Sequence, residues 1–292
     1  MRRRRPTYPP VPPHEMLPAR TVLVPERGEF FVRDSGETVS GRPTVMLLHG
    51  WMVTADLNWH AAYDPLVQAG YRVLAIDHRG HGRGVRAMAP FRLEDCAADA
   101  AAVLRALGIA RTVVVGYSMG GVIAQLLVRD HPDVVAGVVL SGTCQHFQDP
   151  QTRRVWKWMG IVGVTLGLAP RQAYRAGFRR SGITLDERSA WWLSELMRHE
   201  ARDVAEAGRE LGRFDSRPWL ASLRRLPAAM VLTGRDAMVA PVKQRELAQA
   251  IDAAVFEVPL DHLDIADRAD IYNPALLDAV SAVAAPQSIP VA

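Results

Sequence analysis

Apolar positions in this chain fall into two kinds of run. Short unbroken runs rich in β-branched residues occur at TVMLLHG (44–50), RVLAID (72–77), TVVVGYS (112–118), VAGVVLSG (135–142), AAMVLTG (228–234) and AVFEVP (254–259). They do not alternate with polar residues, which is the pattern of strands covered on both faces. Between them lie stretches with helical spacing at 57–69, 91–108, 119–130 and 242–250, and at 275–285 behind Pro274. The second of these is rich in alanine and ends at Gly108, a natural helix stop. Strand and helix therefore alternate, which predicts an α/β fold with a mostly parallel central sheet and helices on both faces. Ahead of this pattern, TVLVP (21–25) and EFFVRD (29–34) flank Glu26-Arg27-Gly28 and predict an antiparallel hairpin at the sheet edge.

The alternation breaks between 148 and 217. Four of the seven tryptophans fall there, Trp156, Trp158, Trp191 and Trp192, and 191–211 reads as one long amphipathic helix. The expectation is a helical cap, residues 148–217, inserted into a core made of 21–147 and 218–285. Its place would be over the carboxyl ends of the strands, where open α/β sheets bind ligands. Residues 1–20 read as a flexible, proline-rich tail. Arg2 to Arg5 alone match the formal net charge of +4, so the basic balance is no argument for nucleic acid. No apolar run approaches the ~20 residues needed to cross a bilayer. The longest, WMGIVGVTLGLA (158–169), is interrupted by three glycines. Cys96 and Cys144 lie in apolar surroundings and read as plain buried thiols. With no secretion signal behind the N-terminal arginines, a cytoplasmic location and no integral membrane association are expected.

The chemistry concentrates at Gly116-Tyr117-Ser118-Met119-Gly120, where a strand passes into a helix with no loop between. A serine on such a corner stands clear of the sheet, above the positive end of the following helix, and its neighbours two positions away must be small. Its hydroxyl needs a base, and the base needs an orienting group. In chain order an acid and then a histidine should follow, each just after a later strand. Asp236 follows AAMVLTG, and His262 follows AVFEVP. Asp261 and Asp264 compete with Asp236 for the orienting role, although Asp261 adjoins the histidine and would struggle to reach its ring. An oxyanion formed at the attacked carbonyl needs donors already in place. The Met119 amide and the Trp51 amide, in MLLHGW (46–51), are the candidates. Gly50 would allow close backbone approach, and His49 would brace the loop.

The combination of HGW (49–51), DHRGHGRG (77–84), GYSMGG (116–121), TGRDAMV (233–239) and PLDHLD (259–264) resembles the α/β-hydrolase superfamily over roughly residues 21–285. Within it the chain is similar to bacterial esterases, cofactor-free haloperoxidase or perhydrolase-type enzymes and related cap-bearing hydrolases. The resemblance implies Ser118 as nucleophile, His262 as base, Asp236 as orienter, the Trp51 and Met119 amides as oxyanion donors, and no cofactor. It also implies that Asp77, Arg79 and the glycines of DHRGHGRG shape a loop beside the pocket. A metal at His78 and His81 is not expected, because no acidic or cysteine ligands gather near them at ligand spacing. Relatives that are dehalogenases or epoxide hydrolases carry aspartate at the corner, so Ser118 argues against both. Asp261 departs from the small residue usual before the histidine. The expected activity is cleavage of a small-molecule carboxylic ester or thioester. Perhydrolysis, carbon–carbon bond hydrolysis and a non-catalytic receptor role are the alternatives. Trp156, Trp158, Met159, Trp191, Trp192 and Met197 are candidates to line an acyl pocket, or else to pack the cap onto the core.

Overall fold

Glu26 (φ 63°) and Gly28 (φ 110°) turn the chain between β1 (Ala19–Val24) and β2 (Gly28–Asp34), which pair antiparallel along their whole length. The structure, a computed structural model, describes residues 10–37, 41–149, 156–180, 184 and 186–284. β2 pairs antiparallel with β4 (Val73–Ile76), and every later pairing is parallel. Those pairings join β3 (Thr44–Leu48), β4, β5 (Thr112–Tyr117), β6 (Val135–Ser141), β7 (Ala228–Thr233) and β8 (Ala254–Val258). The strand order is β1-β2-β4-β3-β5-β6-β7-β8. β3 therefore lies between β4 and β5, so the chain leaves β3 on one side and returns on the other. The connections after β3 and β5 diverge there and leave a crevice at the carboxyl ends of these two strands.

The helices that flank the sheet are α1 (Ala55–Gln68), α2 (Leu93–Ala106) and α3 (Met119–Asp130), and, late in the chain, Pro241–Ala250 and Ala269–Ala284. Alternate residues of one strand serve opposite faces. Met46 and Leu48 of β3 join the apolar cluster that contains α2 and α3, whereas Val45 and Leu47 join the cluster that contains α1 and the C-terminal helix. This explains the unbroken apolar runs: both sides of each central strand are covered. Ala269–Ala284 begins earlier than the expected start behind Pro274, which sits inside it. Proline removes one backbone donor, but burial of Tyr272 and Leu276 holds that turn, and Asn273 donates to the Ala61 carbonyl at 2.6 Å.

Between β6 and β7 the chain forms α4 (Met159–Leu168), α5 (Pro170–Arg180), α6 (Glu187–Leu196) and α7 (Ala201–Arg213); the two helices after it, Pro241–Ala250 and Ala269–Ala284, are α8 and α9. The single helix expected over 191–211 is therefore two helices. The break has a tertiary cause. The Glu200 amide donates to the Gly80 carbonyl at 2.8 Å, and His199 Nδ1 accepts from the Gly82 amide at 2.9 Å. Both partners lie in the DHRGHGRG loop after β4, which thus takes residues 197–200 off the helical path. The same loop supplies Arg83, whose guanidinium donates to both oxygens of Glu195 on α6 at 2.7 Å each. Arg198 also donates to Glu195, at 3.1 Å. Glu195 is only 2% exposed, so this fork joins the inserted helices to the core away from bulk water.

Removal of that carboxylate would leave Arg83 the longer contacts to Asp56 (3.6 Å) and Asp77 (3.8 Å) and its place over the Phe31 ring. Glu195→Ala is expected to cost about 3 kcal/mol of unfolding free energy, read as a lower urea midpoint with the slope unchanged.

Candidate active site

β5 ends at Tyr117 and α3 begins at Met119, so Ser118 alone makes the corner. It does so at φ 54°, ψ −115°, a backbone state that costs a non-glycine residue about 1–3 kcal/mol. Three bonds hold it. The Ser118 amide donates to the Ser141 carbonyl at 2.9 Å, and its carbonyl accepts from the Gly121 (2.9 Å) and Val122 (3.2 Å) amides. The flanking glycines are required by close approach. A Cβ on Gly116 would lie 2.3 Å from the Gly120 carbonyl oxygen, and one on Gly120 would lie 2.0 Å from the Leu48 carbonyl oxygen at the end of β3.

The structure brings Ser118, His262 and Asp236 together from three different strand ends. Ser118 Oγ lies 3.0 Å from His262 Nε2, and His262 Nδ1 lies 2.7 Å from Asp236 Oδ2. Asp236 is 4% exposed and saturated with donors. Oδ1 accepts from the Met238 and Val239 amides at 2.9 and 2.7 Å, and Oδ2 accepts from Thr233 Oγ1 at 2.7 Å and Gln244 Nε2 at 3.3 Å. These bonds fix the orientation of the carboxylate toward the imidazole. The rival carboxylates are occupied locally: Asp261 accepts from the His262 amide, and Asp264 accepts from the Asp261 amide at 3.2 Å. The Tyr117 hydroxyl donates to the His262 carbonyl, and the two rings lie 5.0 Å apart.

The loop after β3 lies against the corner. A Cβ on Gly50 would be 3.4 Å from Ser118 Cβ. Asn58, on the first turn of α1, accepts from the Gly50 amide at 2.8 Å. His49 is fully buried; its Nδ1 meets the Gly50 carbonyl at 2.7 Å, and its Nε2 accepts from the His78 amide at 2.9 Å. These partners select the neutral tautomer that carries its proton on Nδ1, and burial holds the pKa well below the ordinary histidine value. Met119, as the first residue of α3, has an amide with no intrahelical acceptor. Trp51 ties the loop to the inserted helices: its indole donates to the Val204 carbonyl at 2.8 Å, and its ring meets Trp156 edge-on at 5.7 Å.

The candidate pocket residues occupy different places. Met159 is buried and shares with Trp51 the space over Gly208. Trp156 is half-buried and donates to the Phe147 carbonyl at 3.2 Å. Trp191 is buried edge-on to His60 at 5.2 Å, and Trp192 packs edge-on to Phe178 with Arg188 over its face. Trp158 is 61% exposed. A cavity of about 210 Å³ lies within the insert, bordered by Leu166, Tyr174, Leu196, Met197, His199 and Glu200. None of the four tryptophans borders it. Thr233, Gln244, Asn58 and Tyr117 were not legible as supports of the site. Thr233 and Tyr117 stand inside the quoted motifs, but nothing local marks Gln244 or Asn58.

His78, His49 and His81, all buried, and the partly buried His199 form a row, with successive ring centroids 4.3, 5.6 and 5.2 Å apart. Cys96 and Cys144 are buried free thiols. Among the described residues no group of three His, Cys, Asp or Glu side chains is arranged to hold a metal, and no helix is long and apolar enough to cross a membrane.

Comparison with known proteins places this geometry. The family described as alpha/beta hydrolase fold matches residues 43–197. A non-heme haloperoxidase of Rhodococcus erythropolis is 44% identical over 115 residues, 39% of this chain and 40% of that protein. That match spans well under half of the relative's length. A non-heme chloroperoxidase of Streptomyces lividans is 28% identical over 88% of this chain and 98% of its own length. Among solved structures, the enol-lactonase of Burkholderia xenovorans LB400 superposes with a TM-score of 0.76 over 90% of this chain and 100% of its own, at 24% identity. That likeness is one of fold.

The buried histidines give stability a definite pH dependence. Burial depresses His78 to about 3, and His199 and His60 to about 4, from the ordinary 6.5. Between pH 6.5 and about 4 the unfolded chain binds protons that the folded chain refuses, so stability falls as pH falls. Burial raises Asp77 to about 6 and also moves Asp99 and Asp203 upward, which opposes the trend, but the imidazoles that burial holds down, His49 and His81 among them, outnumber these carboxyls. The melting temperature is expected to drop steadily from pH 7 to pH 4.5, and His78→Leu should flatten the slope.

Proposed function

The chain belongs to the α/β-hydrolase family, and on that premise we propose that it is a serine hydrolase that cleaves a small-molecule carboxylic ester or thioester through an acyl-enzyme. The observation that carries this reading is the contiguous line from Ser118 Oγ through His262 to Asp236, at 3.0 and 2.7 Å. In the proposed reaction Ser118 Oγ bonds to the acyl carbon while its proton passes to His262 Nε2. The carbonyl electron pair moves onto oxygen, which the Met119 and Trp51 amides receive. Collapse breaks the bond to the leaving group, which takes the proton from His262. Water then repeats the sequence, releasing the acid and restoring the serine. Asp236 holds Nδ1–H of the imidazole throughout and stabilises the imidazolium. We assign the helices between β6 and β7 the role of a cap, since Trp51, Gly80, Gly82 and Arg83 bind them to loops at the carboxyl ends of β3 and β4.

A second reading keeps the same residues and replaces water by hydrogen peroxide, so that the acyl-enzyme yields a peracid. The likeness to a chloroperoxidase over 98% of that protein's length favours carrying it. Epoxide opening is not proposed, because the corner residue is serine.

With para-nitrophenyl esters of graded chain length, turnover is expected to fall by about 10⁴-fold or more in Ser118→Ala and by about 10⁴-fold in Asp236→Asn. Asp264→Asn should stay near the parent. A fluorophosphonate should label the parent and not Ser118→Ala. Turnover retained in Ser118→Ala, or neither labelling nor turnover in the parent, would refute the proposal, the latter in favour of a binding-only protein. Peroxide with a halide-dependent dye reads the peracid route.

A further inference from the structure

The outer face of α4 is as apolar as its inner one. Met159 and Leu166 are buried and Val162 is partly so, which accounts for one side of the helix. On the opposite side Ile161 is 56% exposed, Val164 61% and Leu168 83%, at i, i+3 and i+7, with Trp158 exposed just ahead of them. A helix on the surface of a globular protein ordinarily turns charged residues to water on this side. Here residues 158–169 contain none.

The surroundings are basic. From 150 to 185 the sequence holds seven Lys and Arg residues and no Asp or Glu. Lys157 precedes α4, and α5 follows after a single residue and carries Arg171, Arg175, Arg179 and Arg180. Lys157, Arg171, Arg179 and Arg180 are exposed. Ion pairs abound elsewhere in the chain, yet none of these four has a carboxylate partner among the described residues.

We propose that this face docks the protein on a bilayer surface that contains anionic lipid. Ile161, Val164 and Leu168 would enter the boundary between headgroups and acyl chains, Trp158 would sit at headgroup level, and the cations would meet the lipid phosphates. With ten residues, α4 spans about 15 Å, half the apolar thickness of a bilayer, so it lies in the surface and does not cross it. Charge selects this occupant over a second copy of the chain. A two-fold contact through α4 would set the same basic margin against itself, whereas an anionic surface complements it. The docking uses neither Ser118 nor His262 and is independent of the reaction proposed above.

The test is flotation of the full chain, both as given and as Ser118→Ala, with vesicles of phosphatidylcholine alone and of phosphatidylcholine and phosphatidylglycerol in equal parts. Both chains should float with the mixed vesicles, weakly with the neutral ones, and less at high salt. The triple substitution Ile161→Asp, Val164→Asp, Leu168→Asp should reduce binding by about tenfold or more, and Arg171→Glu with Arg179→Glu by a similar factor. Circular dichroism should be unchanged in both variants. Equal partition to the two vesicle types would overturn the proposal, as would a triple variant that binds like the parent. So would binding abolished only by Arg2–Arg5→Ala. A parent that ignores vesicles but sediments as a dimer, which the triple variant dissolves, would assign the face to self-association instead.

Discussion

The structure depends on one close approach: the first turn of α3 lies directly on the carboxyl end of β3. No side chain fits between them, since a Cβ on Gly120 would meet the Leu48 carbonyl oxygen at 2.0 Å. This contact leaves no room for a loop between β5 and α3 and forces the corner onto Ser118. It also brings the HGW loop, which continues β3, against the serine. The strained backbone of Ser118 persists because the surrounding strands and glycines admit no alternative. The placement of Ser118 and that of the HGW loop are thus two results of one packing constraint at the point where the strand order reverses.

The loops after β3 and β4 carry a second burden. They hold the inserted helices through the Trp51 indole, the Gly80 carbonyl, the Gly82 amide and the Arg83 guanidinium, the last on a carboxylate that is itself buried. His49, buried, and His199, partly buried, accept backbone amides from these loops and are held neutral by desolvation. A neutral imidazole suits this role because it presents one acceptor and one donor without the cost of a buried charge. The same choice makes the junction sensitive to acid. The Ser118 corner and the insert are therefore coupled through shared loops.

Much of this was written in the local sequence. Unbroken β-branched runs foretold the covered strands β3 to β7. AVFEVP (254–259), expected to be covered as well, forms the sheet edge β8 and is mostly exposed there, because it is the last in the strand order. The antiparallel hairpin at the other edge followed from its turn residues. Ser118, Asp236 and His262 were legible because each ends a strand, in the order that a corner serine demands. The motif glycines were legible because small size is a local property. Periodicity could not show that 191–211 is two helices, because the break is made by Gly80 and Gly82, more than a hundred residues away. Nor could it show that Ala269–Ala284 runs through Pro274, since burial of its neighbours offsets one lost hydrogen bond.

By itself the sequence determined which elements form and which side chain stands at each strand end, because those follow from short-range sterics and from the period of apolar residues. Only the tertiary structure decided among the acids. Asp236, Asp261 and Asp264 all lie near His262 by reasonable readings of the chain, and just one reaches Nδ1, because the parallel pairing of β7 with β8 sets two strand ends side by side. The supports Gln244, Asn58 and Glu195 were likewise decided there. A hydrogen bond between residues far apart in sequence leaves no periodic trace, and its worth appears only once folding has removed the water that would otherwise compete for it.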